Sequence, residues 1–311
     1  MCIYGPTGVG KTDVAESIAN AIPAEIINMD VGQMYSPFTI GTAKPDWINS
    51  TIKQHMFDII HEPINYTILE YYHQVIPKIY DCLQRNVLPI LVGGSGFYAR
   101  SLFFPPKELE VKESQHSLHS THNVWDTLYA IDPQRAQAIH KNDTYRIMRA
   151  LDIWHTTGSK PTECVADYNP SADFILLCIM RDTDELNRRI NERIHAMMKQ
   201  GWIEEVRSLL NTEWEPFIEK KRLIGYHEIV TFLKNGYTKQ RYNDLIDAIS
   251  TKTRQYAKRQ RTFWRKLERD IQSQISYYGS YIGCVESTNL THCDIDFSSN
   301  ELLQRLLYVS K

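Results

Sequence analysis

The residues with the clearest chemistry form a glycine-rich loop near the start of the chain. They match the pattern GxxxxGK[ST] and are Gly5, Pro6, Thr7, Gly8, Val9, Gly10, Lys11 and Thr12. The loop follows an apolar run at residues 1–4 and precedes a helix-like segment at 13–21, which is the strand–loop–helix context that this motif requires. Backbone N–H groups and a helix N-terminus would surround a phosphate, Lys11 would add a point charge, and the Thr12 hydroxyl would suit Mg²⁺.

Two more side chains could take part in chemistry beside this loop. Asp30 ends the apolar run 26–29, and the carboxyl ends of strands in a doubly wound sheet face the ligand crevice. It could accept a proton from an amine or simply cap the following turn, and its position leaves both roles open. Arg193 lies on the apolar helix face of Ile190 and Met197, so it needs an anionic partner, either a diphosphate or a core carboxylate.

A basic segment at residues 252–269 indicates a nucleic-acid surface. It carries eight basic residues, including Lys258 and Arg259, and a single acidic residue, Glu268, with aromatic residues between them. The whole chain has a net charge of −2, so this basic surface is local. A helix that follows a phosphate backbone explains such clustering, and a merely solvated helix face is the alternative.

Composition and periodicity predict the scaffold that positions these residues. The 311 residues are 42% hydrophobic and 23% charged, as in ordinary soluble proteins. Short apolar runs at residues 1–4, 25–29, 87–92 and 174–180 predict strands of a parallel sheet, so we expect an α/β core like that of P-loop NTPases. We expect this core at residues 1–107 and 171–275, a mostly helical insertion at 108–170, and a tail at 276–311 that packs on the core.

Several classes of protein are disfavoured by the sequence. No uninterrupted apolar run approaches the roughly eighteen residues of a membrane span, and the early motif leaves no room for a signal peptide. There is no CxxC pair, and the Cys284, His292 and Cys293 group lacks a second close-spaced pair for zinc. The run 88–92 ends in glycines without a Walker-B carboxylate, which weakens the ATPase and GTPase interpretations. We therefore expect a cytoplasmic protein.

Nine strings in fixed order, from residue 3 to about residue 265, resemble the tRNA dimethylallyltransferase family. They are the P-loop, NMDVGQMY, Gly41-Thr42-Ala43-Lys44-Pro45, HMFDI at 55–59, LVGGSGFY at 91–98, NDTYRIMR at 142–149, residues 189–197, Gly225-Tyr226 and TRQYAKRQRTFW at 253–264. The resemblance implies a bacterial-type enzyme that transfers a dimethylallyl group from dimethylallyl diphosphate to the exocyclic amine of the adenosine 3′ of the anticodon, tRNA position 37, and releases diphosphate. The adenine would be flipped into a channel through the protein.

The resemblance also implies roles for individual residues. Asp30 would hold the amine and accept its proton, Ser95 would lie near the adenine, and Lys11, Arg193 and a Thr12-bound Mg²⁺ would neutralise the leaving diphosphate. Segments implied to contact the tRNA anticodon stem-loop, together with the basic segment, are Asp30, Val31, Gly32, Gln33, Tyr145, Arg146, Ile147, Met148, Arg149, Arg222, Leu223, Ile224, Gly225, Tyr226, His227, Lys258 and Arg259. We expect a monomer.

The sequence departs from the family in one segment and leaves three rival functions open. Residues 107–133 contain no arginine where the family usually has one, and Lys112 is the nearest cation. Ser95 stands where threonine is common, which keeps the hydroxyl. The rivals are an isopentenyltransferase acting on free adenine nucleotides, a P-loop small-molecule kinase, and a non-enzymatic nucleotide-dependent switch that binds RNA.

Overall fold

The computed structural model describes residues 1–107, 124–164 and 166–274, together with the backbone of residues 281–286. The chain forms two compact units, one made of Met1–Phe103 and the chain from Pro170 onward, the other of Phe104–Asn169. Lys112, His292, Cys293 and the side chain of Cys284 lie outside the described residues.

A parallel six-stranded sheet forms the centre of the first unit, with strand order β3-β2-β4-β1-β5-β6. The strands are β1 Cys2–Tyr4, β2 Ala24–Asn28, β3 Gln54–His55, β4 Leu88–Gly93, β5 Ile175–Met180 and β6 Tyr281–Glu286. The predicted α/β parallel core is confirmed, and four strands lie within a residue or two of their predicted bounds. The sequence missed β3 because two residues carry no pattern, and β6 because the tail has weak periodicity.

Twelve helices lie in the described part of the chain, of which α5, α6 and α7 belong to the second unit. They are α1 Lys11–Ala21, α2 Val31–Met34, α3 Ile68–Gln84, α4 Gly96–Ser101, α5 Val124–Ile131, α6 Pro133–Gln137, α7 Thr144–Thr157, α8 Thr183–Lys199, α9 Trp202–Leu209, α10 Trp214–Lys221, α11 Tyr226–Asn235 and α12 Lys239–Gln272. None of these helices has both the length and the apolar composition needed to cross a membrane.

The basic segment predicted at 252–269 lies within α12, which is 34 residues long. Its buried residues recur every three or four positions along one face, as in Ala257, Gln260, Trp264 and Leu267. The Trp264 ring stacks on Tyr4 of β1 with 5.1 Å between ring centroids. This stripe therefore fixes α12 against the central strand and leaves most of the basic residues exposed.

The amino-terminal end of β2 is held by an ionic cluster around the buried carboxylate of Glu25. Arg85 donates to both of its oxygens, at 2.6 and 2.9 Å, and His55 Nε2 lies 2.7 Å away. Hydrogen bonds from Arg85 hold the pKa of Glu25 well below its usual range. Glu25, His55 and Cys82 lie close enough together to hold a metal ion, but the guanidinium already satisfies the carboxylate, so we assign the cluster a structural role.

The second unit is helical in its described part, as predicted for the insertion. Leu128, Ile147 and Leu151 are at most 1% exposed and form the centre of its own small core. Asp132 caps α6 by accepting from Arg135 N at 2.9 Å, and it also accepts from the backbone and hydroxyl of Thr162. The buried carboxylate thus joins two loops of this unit.

Candidate active site

The glycine-rich loop connects β1 to α1 and forms a concave cradle of backbone N–H groups. Gly8 and Gly10 have φ values of 81° and 100°, a region that residues with a side chain rarely adopt. Gly10 is the N-cap of α1 and has no side chain to satisfy the first-turn amides. Lys11 Nζ donates to Pro6 O at 2.9 Å across the loop. The cradle is therefore shaped for an anion, as its sequence predicts.

Lys11 lies in an environment that disfavours its charge. The pKa of Lys11 is lowered to about 8, mainly by burial; the carboxylate of Asp30 opposes this shift, and the nearby Arg193 adds to it. An anion bound in the cradle would favour the protonated amine. Phosphate binding and the charge of Lys11 are thus linked.

Asp30 combines the two roles that its position leaves open. It is the N-cap of α2, and its Oδ1 accepts from Gly32 N at 3.2 Å. The second carboxylate oxygen makes no hydrogen bond within the described part of the chain and borders the cavity beside the cradle. Burial raises the pKa of Asp30, while Lys11 and Arg193 oppose that shift. The turn cap therefore fixes a carboxylate that still presents one oxygen to a ligand.

A close approach of two strands places Asp30 at the site. Any Cβ at Gly93, the last residue of β4, would overlap the backbone of Met29 and crowd Asp30 N. Glycine at this position lets the end of β2 lie directly against β4. The acidic group of the site therefore comes from β2, although the sequence offers none at the end of β4.

Two arginines of α8 face the loop from the other side, one helical turn apart. Arg189 Nε donates to Gly8 O at 3.0 Å. Arg193 has no hydrogen bond or ion pair with any described residue and borders the cavity. Burial lowers its pKa, and Asp30 partly restores it. Of the two partners considered for Arg193, a core carboxylate within ion-pair distance is not observed among the described residues, which leaves a ligand anion.

The site consists of two adjoining cavities that share Thr7, Gly8, Asp30, Thr42 and Arg193. The first has a volume of about 660 Å³ and is polar, with Lys11, Thr12 and Arg189 among its lining residues. The second has a volume of about 390 Å³, and its apolar and aromatic lining residues are Phe38, Ile190, Ile194, Met197, Trp202, Leu223, Ile224, Tyr226 and Tyr256. Asp30 and Arg193 therefore stand where an anion site meets a site for a flat or apolar group.

Glu205 of α9 fixes the loop that forms one wall of both cavities. Its carboxylate accepts backbone N–H groups from Thr39 at 3.1 Å, Ile40 at 2.7 Å and Gly41 at 3.3 Å. The Tyr226 hydroxyl donates to the same carboxylate at 2.7 Å. One charged side chain thus joins this loop to the start of α11 with four hydrogen bonds, and such bonds to a charged acceptor are strong.

Trp202 covers this wall from the side of α9. A Cβ added to Gly41 or to Gly225 would overlap the indole ring, so both positions need glycine. Gly225 also has φ of 85°, which favours glycine independently. The packing explains why these glycines occur within the strings that resemble known sequences.

A model described as IPP transferase matches residues 33–267, about three quarters of the chain. The chain belongs to the IPP transferase family. A second model, of ATPases associated with various cellular activities, matches only residues 1–59, around the P-loop.

Relatives and solved structures agree with this assignment. The tRNA dimethylallyltransferase of Petrotoga mobilis is 37% identical over 281 residues, covering 86% of this chain and 91% of the relative. That of Chlamydia pneumoniae is 34% identical, covering 86% and 82%. The tRNA isopentenylpyrophosphate transferase of Bacillus halodurans has a TM-score of 0.63 at 27% identity, covering 99% and 95%. A eukaryotic dimethylallyltransferase described as acting on tRNA has a TM-score of 0.75 at 26% identity, covering 98% and 77%.

The site residues predicted for this IPP transferase are distributed unequally around the cavities. The P-loop, Asp30 and Arg193 come together as described above. Ser95 lines neither cavity. Its Oγ accepts a hydrogen bond from Val31 N at 3.2 Å. Gln33 lines the first cavity and donates to the carbonyls of Thr42 and Ala43, so it also supports the wall.

The predicted tRNA-contacting residues fall into three groups. Those lining the second cavity are Asp30, Val31, Gly32, Arg222, Leu223, Ile224, Tyr226 and Arg259. Exposed residues outside it are Lys258 on α12 and, in the second unit, Tyr145, Arg146 and Arg149 on α7, while Met148 is partly buried on that unit's core. Among the remaining residues of this prediction, Ile147 is buried in the core of the second unit, Gly225 lies beneath Trp202, and His227 lies outside the cavity lining.

Several residues of the IPP transferase site could not be found from the sequence. Arg189 had a weak signal, since it lies one turn before Arg193 on the same helix face. Glu205 and Trp202 had none, because their partners in the loop at residues 39–41 are more than 160 positions away along the chain. Tyr256 was visible only as one aromatic residue within a basic helix.

Removing the Glu205 carboxylate should release the loop without unfolding the protein. In Glu205→Ala, the amides of Thr39, Ile40 and Gly41 lose their acceptor. Hydrogen bonds to a charged group contribute about 1.5–3 kcal/mol, so exchange of these amides should accelerate roughly tenfold to a hundredfold. Hydrogen-exchange mass spectrometry of peptides covering residues 36–44 measures the effect.

Glu204→Ala is the matched control, because Glu204 is an exposed neighbour on α9 whose carboxylate pairs with Arg207. It should leave exchange in the loop unchanged. Equal exchange rates in the two variants would contradict the role assigned to Glu205.

Proposed function

We propose that this IPP transferase transfers a dimethylallyl group from dimethylallyl diphosphate to the exocyclic amine of adenosine 37 of tRNA and releases diphosphate. One observation carries the proposal: an anion cradle opens directly into an apolar and aromatic cavity, with an acid and an arginine at their junction. A donor with a diphosphate group and a five-carbon tail fits this arrangement, with the diphosphate in the polar cavity and the tail towards the apolar one.

The polar cavity suits the diphosphate as a leaving group. The bond from the allylic carbon to the diphosphate oxygen breaks, and negative charge grows on that oxygen. Lys11, Arg193 and the P-loop amides can stabilise this charge, because they are already oriented and little water separates them from it. Arg193 also suits bidentate contact with phosphate oxygens.

Asp30 suits the acceptor side of the reaction. The adenine amine is a weak nucleophile because its lone pair is delocalised into the ring. As its nitrogen bonds to the allylic carbon, one N–H proton must leave, and the free oxygen of Asp30 can accept it. The aromatic walls of the second cavity, such as Tyr226 and Tyr256, can hold a flipped base by stacking.

The donor atoms bordering the first cavity fit Mg²⁺. The Thr12 hydroxyl makes no hydrogen bond within the described residues, and the carboxylates of Asp13, Glu16 and Glu192 line the same cavity. Hydroxyl and carboxylate oxygens are the ligands that Mg²⁺ prefers. Thr12 would hold the ion, which would add positive charge beside the diphosphate.

The outer face of α12 supports an RNA acceptor over a free nucleotide. Arg259 lines the acceptor cavity and lies 5.9 Å from the Tyr256 ring, while Lys258 beside it faces solvent. Basic groups that continue outward from the cavity suit a backbone longer than one nucleotide. Because one chain forms both cavities, we propose a monomer, working in the cytoplasm with its tRNA substrate.

Turnover and binding in Asp30→Asn separate the proposal from its rivals. Wild-type protein incubated with tRNA, dimethylallyl diphosphate and Mg²⁺ should yield prenylated adenosine, detected by mass analysis of the tRNA nucleosides. Asp30→Asn keeps the shape of the turn cap but loses the proton acceptor, so turnover should fall by about a hundredfold or more. Inorganic diphosphate should bind it nearly as well as wild type.

Asp46→Asn is the control, since Asp46 is exposed and bonds only within its own turn. Rapid ATP hydrolysis without prenylated RNA would favour a kinase or ATPase and overturn the proposal. Prenylation of AMP but not of tRNA would favour the free-nucleotide enzyme. Loss of diphosphate binding in Asp30→Asn would place Asp30 in the phosphate site instead.

Diphosphate affinity should depend on pH through Lys11. Because the pKa of Lys11 in the free protein is lowered to about 8, the amine loses its proton as pH rises through that value. The bound anion favours the protonated amine, so affinity should weaken above about pH 8. Isothermal titration with inorganic diphosphate measures this dependence.

Lys11→Arg is the reference, because its guanidinium stays charged over this pH range. Changes in the protonation of diphosphate itself affect wild type and variant equally, so they cancel in the ratio of the two affinities. The ratio of wild-type to Lys11→Arg affinity should therefore decrease from about pH 7 to about pH 9. A ratio that stays constant would show that Lys11 remains charged throughout.

The basic face of α12 should contribute to the salt dependence of tRNA binding. Lys258→Ala with Arg259→Ala should weaken tRNA binding and reduce the slope of log affinity against log salt by about one for each lost phosphate contact. Filter binding over a range of salt concentrations measures the slope. Lys199→Ala with Lys239→Ala is the control, because both lysines are exposed on other surfaces. An unchanged slope would remove this face of α12 from the interface.

A further inference from the structure

Gln260 of α12 links the two halves of the site through its side-chain amide. The side chain is buried, with the residue only 4% exposed. Its Oε1 accepts from Thr7 N at 2.8 Å, and its Nε2 donates to Gly94 O at 2.9 Å. Thr7 belongs to the P-loop after β1, and Gly94 to the turn after β4. One amide group therefore bridges the anion cradle and the turn beside Asp30.

The backbone of α12 at this position is itself held firmly. Tyr4 of β1 donates its hydroxyl to Gln260 O at 3.3 Å, and its ring stacks on Trp264 one turn later. Phe263 packs so closely on Gly96 that any Cβ there would overlap its ring. The helix contacts β1 through Gln260 and Trp264 and the start of α4 through Phe263, so the backbone that carries the amide has a fixed position.

The chemistry of the bridge requires a group that both accepts and donates. It needs an acceptor towards Thr7 and a donor towards Gly94 within one planar group, which glutamine supplies and an ionised glutamate does not. A Cβ at Gly94 would overlap Nε2, so the turn has glycine where the bridge passes. Gly93, the preceding residue, is the one packed against the backbone of Met29 and Asp30.

We propose that Gln260 is a positioning residue that sets the distance between the diphosphate cradle and the turn carrying Gly93, and hence between the donor carbon and the acceptor amine at Asp30. The alignment role rests on the proposed function. The bridge touches neither reacting group, so its removal should lower kcat and loosen the cradle without preventing RNA binding. It also makes the inner face of α12 part of the catalytic site, while the outer face carries the basic residues.

Gln260→Glu tests the bridge through protonation. A neutral carboxylic acid copies the amide, accepting from Thr7 N and donating to Gly94 O, whereas a carboxylate has no donor and brings negative charge next to the cradle. Burial at this position favours the neutral acid over the carboxylate, and the fraction of carboxylate grows as pH rises. The side chains that face this position, Tyr4 and Tyr256, have pKa values raised by burial and stay neutral throughout.

The measurements are diphosphate affinity and kcat for tRNA prenylation, each as the ratio of variant to wild type from about pH 6 to about pH 9. For Gln260→Glu both ratios should approach one at the acidic end and fall by roughly tenfold or more at the basic end. Gln260→Ala should lose a similar factor at every pH. Gln272→Glu, an exposed change on the same helix outside residues 252–269, should follow wild type, and tRNA affinity should change little in all three.

The outcomes separate this inference from the proposed function. If wild type binds diphosphate but does not prenylate RNA, the proposed function fails, and the pH dependence of diphosphate binding by Gln260→Glu still decides whether the bridge shapes the cradle. Wild-type affinity and kcat in Gln260→Glu at every pH would overturn the positioning role. So would a loss that is independent of pH and parallels a lower melting temperature, because that pattern indicates general destabilisation.

Discussion

Three partly buried charges that do not pair directly with one another lie at the centre of the site. Lys11, Asp30 and Arg193 border the same crevice, and no two of them form an ion pair among the described residues. Burial opposes the charge on each, lowering the pKa of the two bases and raising that of the acid. A protein keeps such groups only where a ligand completes the balance or where other structure holds them in place. An anion with a displaceable carbon group would satisfy the bases and leave the acid free.

The rest of the first unit keeps these charges in place. Parallel strands bring the P-loop, Asp30 and the glycine turn to one edge of the sheet, and glycines allow backbones to approach within van der Waals distance. Braces from distant helices then fix each segment: Arg189 on the P-loop, Glu205 on the wall loop and Gln260 across the gap. Each of these side chains forms hydrogen bonds with backbone groups of the segment that it holds. The position of each segment therefore depends little on the segment's own side chains.

The sequence identifies site residues where the residues that define a motif lie close together in the chain. The P-loop has its pattern within eight residues, and Asp30 and Arg193 were found from a strand end and a helix face. It failed where burial or contact depends on the folded chain. Gln260 lies 253 positions from Thr7, so no spacing predicts their hydrogen bond. Ile147 belongs to the segment 145–149 that the family resemblance assigns to RNA, and the structure buries its side chain in the core of the second unit, which the resemblance alone does not indicate.

The indole of Trp202 lies against two glycines that are far apart in the sequence, Gly41 and Gly225. A side chain can be introduced at either position only after the ring has become smaller, so the order of substitutions along any evolutionary or engineering path is constrained. A change to a smaller residue at 202 would come first and would leave space beside the cavity. Gly225 would still be restricted by its positive φ, and a Cβ at Gly41 would still meet the Tyr226 ring, so a smaller residue at 202 would not by itself free either glycine. This wall of the cavity can therefore change only through several linked substitutions, of which the one at Trp202 must come first.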